Sequence, residues 1–108
     1  MPAPDPEREE FQPLSQVNRV IHEPARLMIL ACLAAVEAAD FLFVMNQTGL
    51  TGGNLSSHMT RLEEAGYISV KKEFVDRIPR TLLRITRKGR DALRLYKRTM
   101  LQVLKDSL

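Results

Sequence analysis

Between residues 50 and 85 the spacing of apolar residues changes period once, and that change narrows the folds open to the chain. Leu55, Met59 and Leu62 recur four and three residues apart and so share one helical face. From residue 67 to 73 apolar and polar residues alternate, with Ile68 and Val70 on one side, as in a half-buried strand. Residues 80–86 offer a second strand in which Leu83 and Ile85 share a face. Residues 74–79 lie between them, and there Asp76 and Pro79 favour a turn and an end to regular pairing.

A helix followed at once by a hairpin with Lys71, Lys72, Arg77 and Arg80 around its tip has the order of a winged helix-turn-helix. The expected class is therefore mainly α with a small β-hairpin (α+β). Opposite the apolar stripe of the helix lie Gly53, Asn54, Ser56, Ser57, Thr60 and Arg61, and Thr51 can cap its first turn. Short hydrogen-bonding side chains with one Arg suit a DNA major groove, which admits a helix and offers donors and acceptors on its base edges. An ordinary amphipathic surface helix would show the same stripe. The basic hairpin that follows favours the DNA reading.

The rest of the chain completes a one-domain plan. Residues 1–12, rich in Pro and charge, read as a mobile tail. A short helix is expected over residues 13–21, with Leu14, Val17 and Ile21 at helical spacing. Pro24 suits the first turn of the next helix, with Leu27, Leu30, Ala31 and Ala34 as its inward stripe. Asp40 can cap a helix from Phe41 to about Gln47, and Gly49 supplies the positive φ of the turn that ends it. Thr86 can cap a last helix from Arg87 to about Asp106. There Leu93, Tyr96, Met100 and Val103 form a heptad-like seam, with Leu104 beside it. Residues 13–86 form the DNA-binding unit on this reading, and residues 87–108 a dimerisation helix. The dimer contact would use Leu14, Val17, Leu93, Tyr96, Met100, Val103 and Leu104. The alternative is a last helix folded onto its own core.

Charge is unevenly distributed along the 108 residues. Residues 1–13 carry a net charge of −3, whereas residues 61–105 carry +8, against +3 for the whole chain. Such a concentration is expected for a phosphate-bearing partner, although a merely soluble basic face would carry it too. The single Cys32 sits in an apolar run and rules out an internal disulfide or a multi-cysteine zinc site. No membrane span or secretory signal is recognisable, so the expected setting is the cytoplasm. The sequence calls for no cofactor or metal. Thr51-Gly-Gly-Asn lacks the ending of a phosphate-binding P-loop, and two His without a supporting motif build no catalytic triad. An enzyme is not expected. His58, at the edge of the apolar stripe, reads as a half-buried packing or hydrogen-bonding residue.

The chain resembles the small stand-alone winged-helix transcriptional regulators related to the MarR and ArsR families. The resemblance rests on residues 22–30, on residues 50–67 over the recognition helix, on Lys72-Glu-Phe-Val, Pro79-Arg-Thr and Ile85-Thr-Arg-Lys-Gly-Arg. It implies a homodimer on pseudo-palindromic DNA, with recognition helices in adjacent major grooves and wings on the backbone or minor groove. By motif position it brings Thr51, Asn54, Ser56, Ser57, Arg61, Arg77 and Arg80 to DNA. The chain has Asp76 where relatives often place a wing glycine, and an acidic residue there repels phosphate. It also lacks the Cys-x-Cys pair of the ArsR-type metal sensors in residues 41–46, so metal sensing is not implied.

Within this reading Lys71, Lys72, Arg77, Arg80 and the first amides of the recognition helix grip phosphates. Gly52 and Gly53 let the backbone approach, and Asn54, Ser56, Ser57, Thr60 and Arg61 read bases. Arg61 is the candidate for a bidentate guanine contact, with a phosphate contact or an ion pair to Glu64 as its alternatives. Two other classes compete. A winged-helix protein-interaction module would expose an apolar or acidic recognition face, and an effector or redox sensor would use Cys32 or the two His.

Overall fold

The computed structural model describes residues 17–107. In chain order they form α1 (Pro24–Val36), β1 (Ala38–Asp40), α2 (Phe41–Thr48), α3 (Gly52–Glu64), β2 (Ile68–Val75), β3 (Ile78–Ile85) and α4 (Arg87–Ser107). The strands make one antiparallel sheet in the order β1-β3-β2. The architecture is four helices and a three-stranded sheet among the described residues, with the helix–hairpin–helix order that the sequence indicates.

Local chemistry fixes most boundaries. Pro24 opens α1, and the Glu23 carboxylate accepts from the Arg26 amide at 2.8 Å. Asp40 caps α2 through the Phe43 amide at 2.8 Å, and Gly49 ends it in the left-handed region with φ 72°. Thr51 Oγ1 caps α3 by accepting from the Asn54 amide at 3.2 Å. Thr86 Oγ1 accepts from the Gly89 amide at 3.0 Å at the start of α4 and itself donates to the Gly66 carbonyl at 2.6 Å.

One core joins these elements. Ile21, Ile29, Leu30, Leu33, Val44, Leu55, Leu62 and Leu83 are fully buried, with Met59, Ile68 and Ile85 beside them. The inward stripe of α1 differs from the expected one: Ile29 and Leu33 are buried, Leu27 and Ala34 pack at its edge, and Ala31 is exposed. Residues 27–36 are apolar throughout, so periodicity marks no single face there.

Three further expectations change. Residues 13–16 of the anticipated first helix, with Leu14, lie outside the described residues, as do residues 1–12. Residues 17–21 form a bend and turns instead of a helix. Their physical reason is Asn18, whose Oδ1 accepts from the amides of Val20 and Ile21 at 3.0 and 3.2 Å and so offers the backbone a local alternative to helix. The strand β1 was not anticipated. It adds only Ala38–Asp40 to the free edge of β3, opposite Leu82, Leu83 and Arg84. Finally, hairpin pairing does not stop before Pro79. It continues to Val75↔Ile78, leaving a two-residue turn of Asp76 (φ 51°) and Arg77 (φ 68°). Positive φ at both central residues matches the right-handed twist of the strands. Pro79 is tolerated because β1 does not reach that far, so β3 is an edge strand at this level.

The last helix is anchored by a close approach. Its Gly89 is buried, and a Cβ built there would stand 2.1 Å from the Tyr67 carbonyl oxygen. Only glycine lets α4 cross the start of the hairpin at this distance.

Candidate nucleic-acid interface

The recognition helix α3 has two sharply different sides. Leu55, Met59 and Leu62 enter the core, while Thr51, Gly53, Asn54, Ser56, Ser57, Thr60 and Arg61 are exposed. All seven of these candidates therefore lie on solvent-facing surface. Two hydroxyls have internal tasks: Thr51 holds the cap, and Thr60 Oγ1 donates to the Ser56 carbonyl at 3.1 Å. Glu63 and Glu64 follow on the exposed side, so the helix is uncharged over its first turns and carries Arg61, Glu63 and Glu64 at its C-terminal end. Among the described residues no carboxylate lies within ion-pair distance of Arg61, so its guanidinium is unengaged by Glu64. A Cβ at Gly53 would meet nothing within 4 Å. No internal contact demands glycine there, although glycine weakens a helix.

What fixes α3 from behind is a contact that the sequence reading missed. The Arg26 guanidinium on α1 donates to the Val20 carbonyl at 2.5 Å, to the Arg19 carbonyl at 3.4 Å and to His58 Nδ1 at 3.2 Å. A guanidinium can only donate, so Nδ1 is the acceptor in this arrangement. Glu23 Oε2 stands 3.7 Å from the same nitrogen. Burial would raise the Glu23 pKa. The amides of Arg26 and Ala25, with the positive charge of Arg26, outweigh it and hold the carboxyl below its ordinary value. His58 thus tethers the recognition helix to the segment before α1. Residues 26 and 58 are 32 apart, and no local pattern could have paired them.

The four basic residues of the hairpin do not form one patch. Alternation puts Lys71 and Arg80 on one face with Glu73, and Lys72 on the other with Phe74. Lys71 Nζ is 3.9 Å from Glu73 Oε2. Arg80 Nε is 3.7 Å from Asp40 Oδ2, the carboxylate whose other oxygen caps α2. Lys72 and Arg77, exposed and without a carboxylate at such distance among the described residues, are the wing cations left for an external phosphate.

The dimer candidates fall into three environments. Leu93 and Tyr96 pack against the domain's own core, Tyr96 Oη lies 2.8 Å from His22 Nδ1, and Val103 is buried. Val17 and Met100 are half-buried. Leu104 is exposed, as are Leu95 and Leu101 on the same helix. Cys32 is half-buried beside Met28, Val36 and Phe43 in a shallow groove between α1 and α2, and burial pushes its thiol pKa up. A raised pKa leaves less of the reactive thiolate at neutral pH, which opposes a sensor role.

The description "winged helix DNA-binding domain" matches residues 25–104. The chain belongs to this family. The match runs from the first turn of α1 almost to the end of α4 and takes in the helix face and hairpin just described. The winged-helix chain is 34% identical over 88 residues to an uncharacterized protein of Methanocaldococcus jannaschii, covering 82% of this chain and 96% of that one. It is similar to the structure of a transcriptional regulator homologue from Pyrococcus horikoshii OT3, with TM-score 0.82, 30% identity and coverage of 91% and 96%. It also shares the fold of a MarR variant from E. coli solved with operator DNA, at TM-score 0.60 and 12% identity, covering 93% of this chain and 80% of that one. The winged-helix chain thus belongs to a DNA-binding family, and its architecture is MarR-like. No helix among the described residues is long and apolar enough to cross a membrane.

Proposed function

We propose that the protein is a cytoplasmic, homodimeric transcriptional regulator that binds a pseudo-palindromic operator. The observation that carries this reading is the division of α3, whose apolar residues are all used inside while its outer arc offers short polar side chains and then Arg61, which no carboxylate of the described residues engages, before the helix ends in Glu63 and Glu64. In the major groove Arg61 reads guanine through O6 and N7, and Asn54, Ser56, Ser57 and Thr60 contact neighbouring base edges. The amides of Gly52 and Gly53, with Lys72 and Arg77 and more weakly Lys71 and Arg80, hold phosphates and set the register. Thr51 serves this interface by capping the helix.

Dimerisation follows from α4. Leu95, Leu101 and Leu104 leave apolar surface on a 21-residue helix, and a second copy covers it, with the half-buried Val17 and Met100 as further candidates. The fold likeness to a MarR variant solved on operator DNA supports the same docking mode. The test is selection of bound fragments from genomic DNA by the purified protein, followed by mobility shifts and sedimentation. Equivalent half-sites should recur about 34 Å apart, or at a multiple of that distance, under a dimer. A monomer that shifts no DNA at low salt would sink the proposal.

A further inference from the structure

The side chain that seats the recognition helix is also one whose charge changes near neutral pH. His58 is half-buried on α3, between the exposed Ser57 and the buried Met59 and three residues before Arg61. Its Nδ1 stands 3.2 Å from the Arg26 guanidinium and 3.7 Å from Glu23 Oε2. Arg26 has only protons to give, so Nδ1 offers a lone pair and the ring proton sits on Nε2. The same guanidinium donates to the carbonyls of Val20 and Arg19, and that grip holds it beside the ring. Glu23 Oε2 is committed as well, since it accepts from the Arg26 amide at 2.8 Å and caps α1. The neutral imidazole is therefore one partner in a closed set of contacts joining α3, the start of α1 and residues 19–20.

A proton on Nδ1 breaks this set. The imidazolium has no lone pair for Arg26 and places a second positive charge at hydrogen-bond distance from the first. Its remaining attraction is to Glu23, which it reaches by shifting toward the cap of α1. Among the described residues no other carboxylate stands within ion-pair distance of the ring. Arg61 lies one turn on along α3, Arg19 exposes its side chain, and on β2, which also packs against α3, Lys71 and Glu73 lie beside each other. We propose that His58 is a positioning residue whose protonation couples sequence reading to pH. The neutral ring holds α3 in the seat from which Asn54, Ser56, Ser57 and Arg61 read bases, and the charged ring releases it. This rests on the DNA-binding reading above and adds a form of regulation to it. Specific and non-specific binding then part company. Base contacts depend on where α3 sits, whereas phosphate contacts depend on charge, which protonation increases. As pH falls through the ordinary histidine value of about 6.5, affinity for the operator drops relative to affinity for unrelated duplex.

The test uses the full chain, an operator duplex from its own selected sites and an unrelated duplex of equal length. The ratio of the two affinities should fall about tenfold from about pH 7.5 to about pH 5.5, the scale of one hydrogen bond to a charged group. His22→Gln removes the only other imidazole and should keep that fall. His58→Asn puts an amide oxygen in the place of Nδ1 and takes no proton, so it should abolish the fall. Glu23→Gln removes the anion that receives the imidazolium, so the fall should move to lower pH. Nitrogen NMR of the free protein reads the ring without DNA: at neutral pH Nδ1 should be bare and Nε2 protonated, and the second proton should arrive over the range in which the ratio falls. A proton on Nδ1 at neutral pH would overturn the inference while leaving DNA binding intact. So would a constant ratio, or one that falls alike in wild type and His58→Asn. If His58→Asn does not fold, Glu23→Gln decides, and a fall at unchanged pH overturns the exchange of partners. Absence of operator binding by wild type at any pH would overturn the DNA-binding reading itself, and this coupling with it.

Discussion

Helix α3 turns its apolar residues inward and its polar ones outward, whereas the β2–β3 tip presents Phe74, Val75 and Ile78 to solvent. The two regions also differ in support. The helix is capped by Thr51, seated on Leu55, Met59 and Leu62, and tethered through His58 to Arg26. The hairpin end is two-stranded, held by its own ladder and by a turn with two residues at positive φ. A rigid base with exact donor positions suits the reading of base edges. The hairpin end instead presents apolar side chains on a slender ribbon, a surface without fixed donor positions.

Both regions spring from one junction, and breaking that junction has the largest expected effect. The Tyr67 carbonyl accepts from the Thr86 amide at 3.0 Å, and the Gly66 carbonyl accepts from Thr86 Oγ1 at 2.6 Å. The missing side chain of Gly89 leaves room for both. Gly89→Ala forces α4 off the Tyr67 backbone. It should cost about 3 kcal/mol or more, which overpacking against backbone can reach. Urea unfolding would show the lost midpoint, and an unchanged midpoint would mean that α4 does not pin the hairpin.

A second contrast separates reading from gripping. Arg61→Ala should lose about 1–3 kcal/mol of discrimination at one operator position and little elsewhere. Arg77→Ala should weaken all sequences alike and reduce the slope of log affinity against log salt by about one. Titrations over a panel of operator variants at two salt concentrations check both. Equal losses on every variant for Arg61→Ala would remove it from the base readers.

How much of this contrast the sequence disclosed depends on the range of the causes. The caps at Asp40, Thr51 and Thr86, the left-handed Gly49 and the inner stripe of α3 act within a few residues, and each is legible. The arc of polar candidates follows from that stripe. β1 is not legible, because Ala38-Ala39-Asp40 has neither alternation nor strand-favouring residues and owes its pairing to β3. The apolar tip was hidden because Asp76 and Pro79 read as the end of pairing, so Phe74 and Ile78 passed as loop. The ion pair of Arg80 with Asp40 and the His58–Arg26 contact join residues 40 and 32 positions apart, which only the fold brings together.

Two substitutions should stabilise the protein and weaken its interface, one in each region. Gly53→Ala removes a helix-weakening glycine from a position with open space around it, for a gain of up to about 1 kcal/mol. Arg77→Gly relieves a left-handed residue in the turn, for a similar gain of about 1 kcal/mol. If backbone approach at Gly53 and the charge of Arg77 serve DNA, both variants melt higher and bind more weakly. Thermal melts and binding titrations on the same samples check this, and tighter or unchanged binding would take that position out of the interface.

The smallest expected effect concerns the tether of α3, whose counterpart in the hairpin is the single ion pair of Arg80 with Asp40. Glu23 is held below its ordinary pKa, so it binds its proton less readily in the folded chain than in the unfolded one. Its contribution is present above the ordinary Glu value of about 4.3 and is lost as pH falls from there through the lowered native value. Glu23→Gln keeps an acceptor for the Arg26 amide but removes the charge that faces Arg26 and His58. At neutral pH the variant should be less stable by about 0.5 kcal/mol, the scale of one charge at a helix N-terminus. The difference should shrink as acid protonates the wild-type carboxyl. Repeating the series with His58→Gln shows whether the difference needs the imidazole beside Glu23. A difference that stays constant down to strongly acidic pH would mean that the carboxylate acts there as a neutral cap, and the tether would then rest on Arg26 and His58 alone.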